Sequence, residues 1–182
     1  MASIIPESNP RWRSSLQGLA VAVLAVSEAS AATPTALSAT TPFGEAKLTD
    51  ANGVVSYRVG GVFAASANDQ TRLSFTIICS PDVGSLALLI VRTNAPPALT
   101  SGAAVISASV DGHAPLQLSA VRMTDGGLAG YTISPSQGVE GLAGQMAGGT
   151  KLHLDLDDFS PEIPLAGFAD KLAVMTSVCP HR

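Results

Sequence analysis

The sequence predicts a mainly β domain of the α+β class, an antiparallel sheet or small β-sandwich meander with two short helices, the C-terminal helix pinned to the core by a disulfide. Three observations predict it. Short runs alternate apolar and polar residues between turn residues. Two segments repeat their apolar residues at helical spacing, with no β–α–β alternation around them. Two cysteines, Cys79 and Cys179, sit a hundred positions apart, the first on the apolar face of a strand-like run and the second at the end of a helical stripe.

Residues 1 to 15 are polar and carry Arg11 and Arg13. They lead into the apolar stretch Leu16 to Val26, and Ala29-Ser30-Ala31 then fits the small-x-small pattern of a cleaved secretory peptide. Eleven apolar residues at about 1.5 Å each fall far short of the roughly 30 Å of hydrocarbon a helix must cross. The expectation is a signal peptide over 1–31 and no stable membrane span after cleavage. Residues 32–46, rich in Thr, Ala and Pro, read as a disordered linker, and residues 47–182 as a single β-rich domain with a core of its own.

Val54 to Val59 alternates as a first strand and is followed by Gly60-Gly61. Arg72 to Cys79 places Leu73, Phe75, Ile77 and Cys79 on one face, so Cys79 points inward. Pro81, Asp82 and Gly84 supply a turn before the continuously apolar strand Ser85 to Arg92. After the Asn94–Pro97 loop, Ala103 to Val110 and Pro115 to Met123 are joined by Asp111-Gly112, residues that tolerate the positive φ of a tight hairpin. Asp125-Gly126-Gly127 repeats the device before Leu128 to Ser134, and the three strands form a meander.

Val139, Leu142 and Met146 then recur at helical spacing behind an N-cap at Ser136, although Gly141 and Gly144 weaken the helix. After Gly148-Gly149, the next strand turns Leu152, Leu154 and Leu156 inward and Lys151, His153, Asp155 and Asp157 outward. The last helix runs from about Phe168 to Val178, its stripe of Phe168, Leu172 and Met175 ending at Cys179.

Ten basic and fourteen acidic residues give a net charge of −4. Lys and Arg are scattered singly, which argues against nucleic-acid binding and offers no polybasic patch for a membrane. The only tryptophan, Trp12, lies in the leader. Two cysteines in an exported chain permit one pairing, and neither belongs to a CxxC pair or a Cys/His cluster, so the bond reads as structural.

No G-x-S-x-G elbow and no H-E-x-x-H is present, and His113, His153 and His181 fall in a turn, on a polar strand face and in the tail. Asp155, Asp157, Asp158 and Glu162 cluster in DLDDFSPE and invite a calcium or paired-carboxylate reading, but the run lacks the order and the glycine of a calcium loop. Gly144 to Lys151 reverses the order of a phosphate loop. No catalytic residue, metal site or cofactor is therefore assigned. The hairpin tips, Asp111, Gly112 and His113 on one and Asp125 on the other, are the candidate binding loops.

The spacing Leu73-x-Phe75-x-x-x-Cys79, the Val110-Asp111-Gly112 hairpin, the helix ending in Gly-Gly, the strand from Lys151 to Leu156, and Ile163 to Cys179 resemble a group of small exported proteobacterial proteins. These are related to the invasion-associated locus B family and to the VasI-type accessory proteins of type VI secretion. The resemblance spans residues 54 to 179 and implies a β-rich envelope domain with a Cys79–Cys179 bond and no established enzymatic activity. The resulting expectation is a periplasmic or secreted, non-enzymatic protein that binds a protein or cell-envelope component. The alternatives are an inhibitor of an envelope or host enzyme, and a hydrolase using the acidic strand end near Asp155.

Overall fold

Each alternating run becomes a strand with one buried face, and the strands join edge to edge in one sheet. The computed structural model describes residues 35–65, 70–80 and 84–179. The expected signal peptide, Pro81 and Asp82 of the first turn, and His181 lie outside the described residues.

The strands are β1 (Thr35–Ala36), β2 (Ser38–Thr49), β3 (Val55–Ala64), β4 (Arg72–Ser80), β5 (Ser85–Arg92), β6 (Gly102–Val110), β7 (Leu116–Asp125), β8 (Leu128–Ile133), β9 (Lys151–Asp155) and β10 (Pro161–Pro164). Helix α1 (Gln137–Gly148) joins β8 to β9, and α2 (Phe168–Val178) follows β10. The order in the sheet is β1-β10-β9-β6-β7-β8-β5-β4-β3-β2, antiparallel except where β1 meets β10. The β6–β7–β8 meander appears as expected.

The two ends of that order are one stretch of chain, because only Leu37 separates β1 from β2. Thr35 pairs with Pro161 and Ala36 with Glu162 on one side, while Ser38 pairs with Ala64 on the other. The Leu37 N–H donates to the Glu162 carbonyl at 2.8 Å. The sheet thus closes into a mostly closed barrel, and the sandwich arrangement is corrected to a single curved sheet.

The disordered linker expected over 32–46 is corrected with it, since from Thr35 onward it is the closing stave. Its Thr-rich composition suits a strand. Pro42 falls inside a register shift between Thr41 and Gly44, where the ladder asks for no N–H. Phe43 is buried with its ring centroid 5.3 Å from that of Phe63 and 5.1 Å from that of Phe168. The first expected strand also runs on through Gly60-Gly61 to Ala64. A Cβ on Gly60 would stand 2.6 Å from Thr76 Oγ1 and 2.7 Å from the Phe75 carbonyl oxygen, so close strand approach explains this glycine.

The barrel is filled. Phe63, Phe75, Ile90, Ile106, Tyr131 and Leu154 point inward and form one core with Val139, Leu142 and Met146 of α1 and Phe168, Leu172 and Met175 of α2. Register defines two ends. Cys79, the β6–β7 turn and the starts of both helices lie at one end. Arg92, the β7–β8 turn and the turn after β9 lie at the other. α1 packs on β5, β6 and β7, and α2 on β2 and β3, so the helices cap the first end. The Ser136 side chain caps α1 by accepting from the Val139 N–H. Cys79 and Cys179 are bonded and buried with Cα atoms 6.3 Å apart, which ties the last turn of α2 to β4.

Candidate functional site

Asp111 and Gly112 have φ of 47° and 77°, and both positive values suit the tight turn their sequence predicts. The Asp111 carboxylate reaches sideways, however. It accepts hydrogen bonds from the Thr150 N–H at 2.7 Å, the Thr150 hydroxyl at 2.8 Å and the Lys151 N–H at 2.9 Å. These bonds, Thr150 foremost, hold its pKa below the usual carboxylate range. Asp111 therefore fastens the turn to the start of β9, and Gly149 leaves room for it, since a Cβ there would collide with Val110. Asp111 and His113 are both exposed at this tip.

Asp125 closes the opposite end of β7, a strand of ten residues that spans roughly 30 Å at strand rise. The two candidate tips face opposite ends of the barrel and do not form one surface.

The acidic run after β9 splits among separate partners. Asp158 Oδ1 accepts from Arg92 Nη1 at 2.8 Å, and Asp157 Oδ2 lies 2.6 Å from Arg122 Nη1 and 2.8 Å from the Tyr131 hydroxyl that donates to it. Arg92 also stacks over Phe159, its guanidinium carbon 4.5 Å from the ring centroid. Asp157, expected to point outward, is turned back because Leu156 and Phe159 close a tight bridge around it and its own φ is 51°. The result is a plug of two arginines, two aspartates and a tyrosine over the end of the barrel away from the helices.

Burial works against the Asp157 charge, but hydrogen bonds from Arg122 and Tyr131 and the charges of Arg122 and Arg92 outweigh it and lower its pKa. Burial foremost, then the bond to Asp157, pushes the Tyr131 phenol up and keeps it protonated. Sequence reading missed this network. Its signal was available in Arg92 and Arg122, cations at inward register positions of alternating strands.

Asp155 accepts from the Ser160 hydroxyl at 2.8 Å and stands 3.3 Å from His153 Nε2. The carboxylate lies between serine and histidine here, whereas a Ser-His-Asp relay needs the imidazole in that place. Glu162 stands 3.6 Å from Lys151 Nζ. Among the described residues no three His, Cys, Asp or Glu side chains gather as a metal site.

Around Asp125 the surface is different. The Ala95 N–H donates to the Gly127 carbonyl at 2.8 Å, Arg122 Nε donates to the Thr100 carbonyl at 2.6 Å, and the Thr124 N–H donates to the Ser101 hydroxyl at 3.0 Å. These bonds brace the loop after β5 against the β7–β8 hairpin and frame an open hollow of about 380 Å³ lined by Pro96, Pro97, Leu99, Asp125 and Leu128. On the outer face of the adjoining strands, Val105, Val121 and Met123 are 63 %, 57 % and 56 % exposed.

Family models, curated proteins and solved structures give no match to this chain.

Proposed function

We propose that the chain is an exported, non-enzymatic domain, periplasmic or secreted, that binds a protein or cell-envelope component through the Asp125 end of its barrel. The observation that carries the reading is the set Val105, Val121 and Met123, large apolar side chains turned to water beside a braced apolar hollow. A strand face meant only for solvent would carry polar residues there.

Fully burying such a side chain is worth about 1.5–3 kcal/mol and each of these is little more than half exposed, so a partner gains a part of that from each and a specific contact where it seats an apolar residue against Pro96 and Leu128. Asp125 at the rim favours a basic residue beside that apolar one. The bracing bonds reduce the ordering cost of association, which suits a rigid binder. The leader-like N-terminus, the cysteine pair and the resemblance to small exported envelope proteins support the compartment.

A photocrosslinking residue placed at Met123 in the producing cell tests the proposal. A discrete adduct is expected, lost in Val121→Glu and weakened in Asp125→Lys. The same adduct from a probe at His113, at the far end, contradicts it.

A further inference from the structure

The barrel is open along one line. β2 ends the sheet order and pairs only with β3, so among the described residues the other edge of residues 44–49 has no strand beside it, and every residue of that run is exposed. Helix α2 starts against Phe43, passes Glu45 with Lys171 Nζ 3.2 Å from Glu45 Oε2, and ends at Cys79 of β4, so its path leads away from this edge. The Asp50 N–H donates to the Val54 carbonyl at 3.0 Å, which sets the alternation along the β2–β3 ladder. Gly44, Ala46 and Leu48 bond to β3, while Glu45, Lys47 and Thr49 turn both N–H and C=O to the open side.

Such an edge is a template for another strand, and a lone lysine on it would be a common way to block pairing. Glu45 changes that outcome. It stands two residues before Lys47 on the same face, the face of Tyr57 and Val59. When two copies of the edge run antiparallel with Ala46 at the centre, Glu45 of each lies opposite Lys47 of the other, and these are residues whose open backbone groups meet. Centring the pair on Glu45 or on Lys47 sets like charges opposite, so charge selects one register.

The outer face fits the same register. It places Leu48, 43 % exposed, opposite Gly44 of the other copy. Gly44, Ala46, Gly60, Val62 and Thr76 line an open hollow of about 300 Å³ on that face, and with no side chain at Gly44 the leucine has room to lean into it.

We propose that a second copy of this chain covers the edge: two barrels join through residues 44–49 as a symmetric antiparallel pair centred on Ala46, with Glu45 to Lys47 contacts on the inner face and Leu48 seated over Gly44 on the outer. The same patch serves both copies, as a two-fold interface requires. So short a contact makes a weak dimer, populated at high protein concentration. It lies toward the helix-capped end of the barrel and is independent of the Asp125 surface.

Sedimentation equilibrium of the full oxidised chain over a hundredfold range of concentration tests the proposal, together with amide exchange at the two extremes. A monomer–dimer equilibrium is expected, weakened at least tenfold in Glu45→Lys and in Lys47→Glu, each of which sets like charges opposite. Mixing the two folded variants should restore a heterodimer, because one edge then carries only lysines and the other only glutamates. In the native chain the amides of Glu45 and Lys47 should gain protection with concentration, while that of Ala46, already bonded to β3, should not. This exchange pattern carries the result if a variant fails to fold. A monomer at every concentration, a dimer indifferent to both variants, a mixture that stays monomeric, or protection confined to the face of Val105, Val121 and Met123 overturns the proposal.

Discussion

The Tyr131 hydroxyl donates to Asp157 Oδ2 at 2.8 Å, and Arg122 Nη1 reaches the same oxygen from 2.6 Å. A phenol from β8 and a guanidinium from β7 thus share one acceptor offered by the turn after β9, and that turn shuts the end of the barrel opposite the helices. Replacing Asp157 by Ala strands both donors where water is scarce. A loss of about 1–3 kcal/mol in denaturant unfolding is expected, with less in Asp157→Asn, whose amide oxygen still accepts one bond.

The same carboxylate gives an acid limb to stability. Its folded pKa is depressed, so its contribution is fully present above the unfolded carboxylate pKa of about 3.9 and is lost as pH falls through the lower folded value. Thermal melts from pH 6 down to pH 2 should fall more steeply below about pH 4 in the native chain than in Asp157→Asn.

Phe43 belongs to the closing stave and meets Phe63 and Phe168 in the core. Phe43→Ala is expected to cost about 3–5 kcal/mol in urea unfolding. Deleting residues 35–46 should abolish cooperative unfolding, whereas a tether could be removed without effect.

Gly60→Ala drives a methyl against the Phe75 carbonyl and the Thr76 hydroxyl, and backbone cannot yield as a flexible side chain does. A loss of about 1–3 kcal/mol is expected. Gly141→Ala, with nothing within 4 Å of the new Cβ and the helix gaining propensity, should raise stability by roughly 0.5–1 kcal/mol. Paired chemical denaturation curves check both.

The strands β4 to β9 were legible because period-two patterns such as Leu73, Phe75, Ile77 and Cys79 leave one register that buries them, whereas most of β2 read as a linker and the four-residue β10 carried no pattern of its own. Both helices were legible from their stripes, and Ser136 marked the start of the first. Barrel closure was not, because β1 is two residues long and its parallel partner lies more than a hundred residues away, a pairing no local pattern encodes. The polar plug was hidden for a related reason. Arg92, Arg122, Tyr131 and Asp157 look unremarkable singly and become a unit only when four distant segments meet. Asp111 was legible as a turn residue, but the distant amides that occupy its carboxylate were not.

The staple between Cys79 and Cys179 closes a separation of 100 residues. The chain-entropy argument gives about 4.7 kcal/mol for such a loop, so Cys79→Ser with Cys179→Ser should lower Tm by roughly 10–20 °C. Hydrogen exchange in α2 should rise more than in β6 or β7, because α2 is the element released.

The proposed role requires that the chain work as an oxidised, covalently capped barrel outside the reducing cytosol. Intact mass of the denatured protein from the producing cell, taken after thiol alkylation without reductant, tests it most directly. The predicted result is a chain beginning at Ala32, two protons light and carrying no alkyl group. Two alkylated cysteines on a chain that retains residues 1–31 would contradict it.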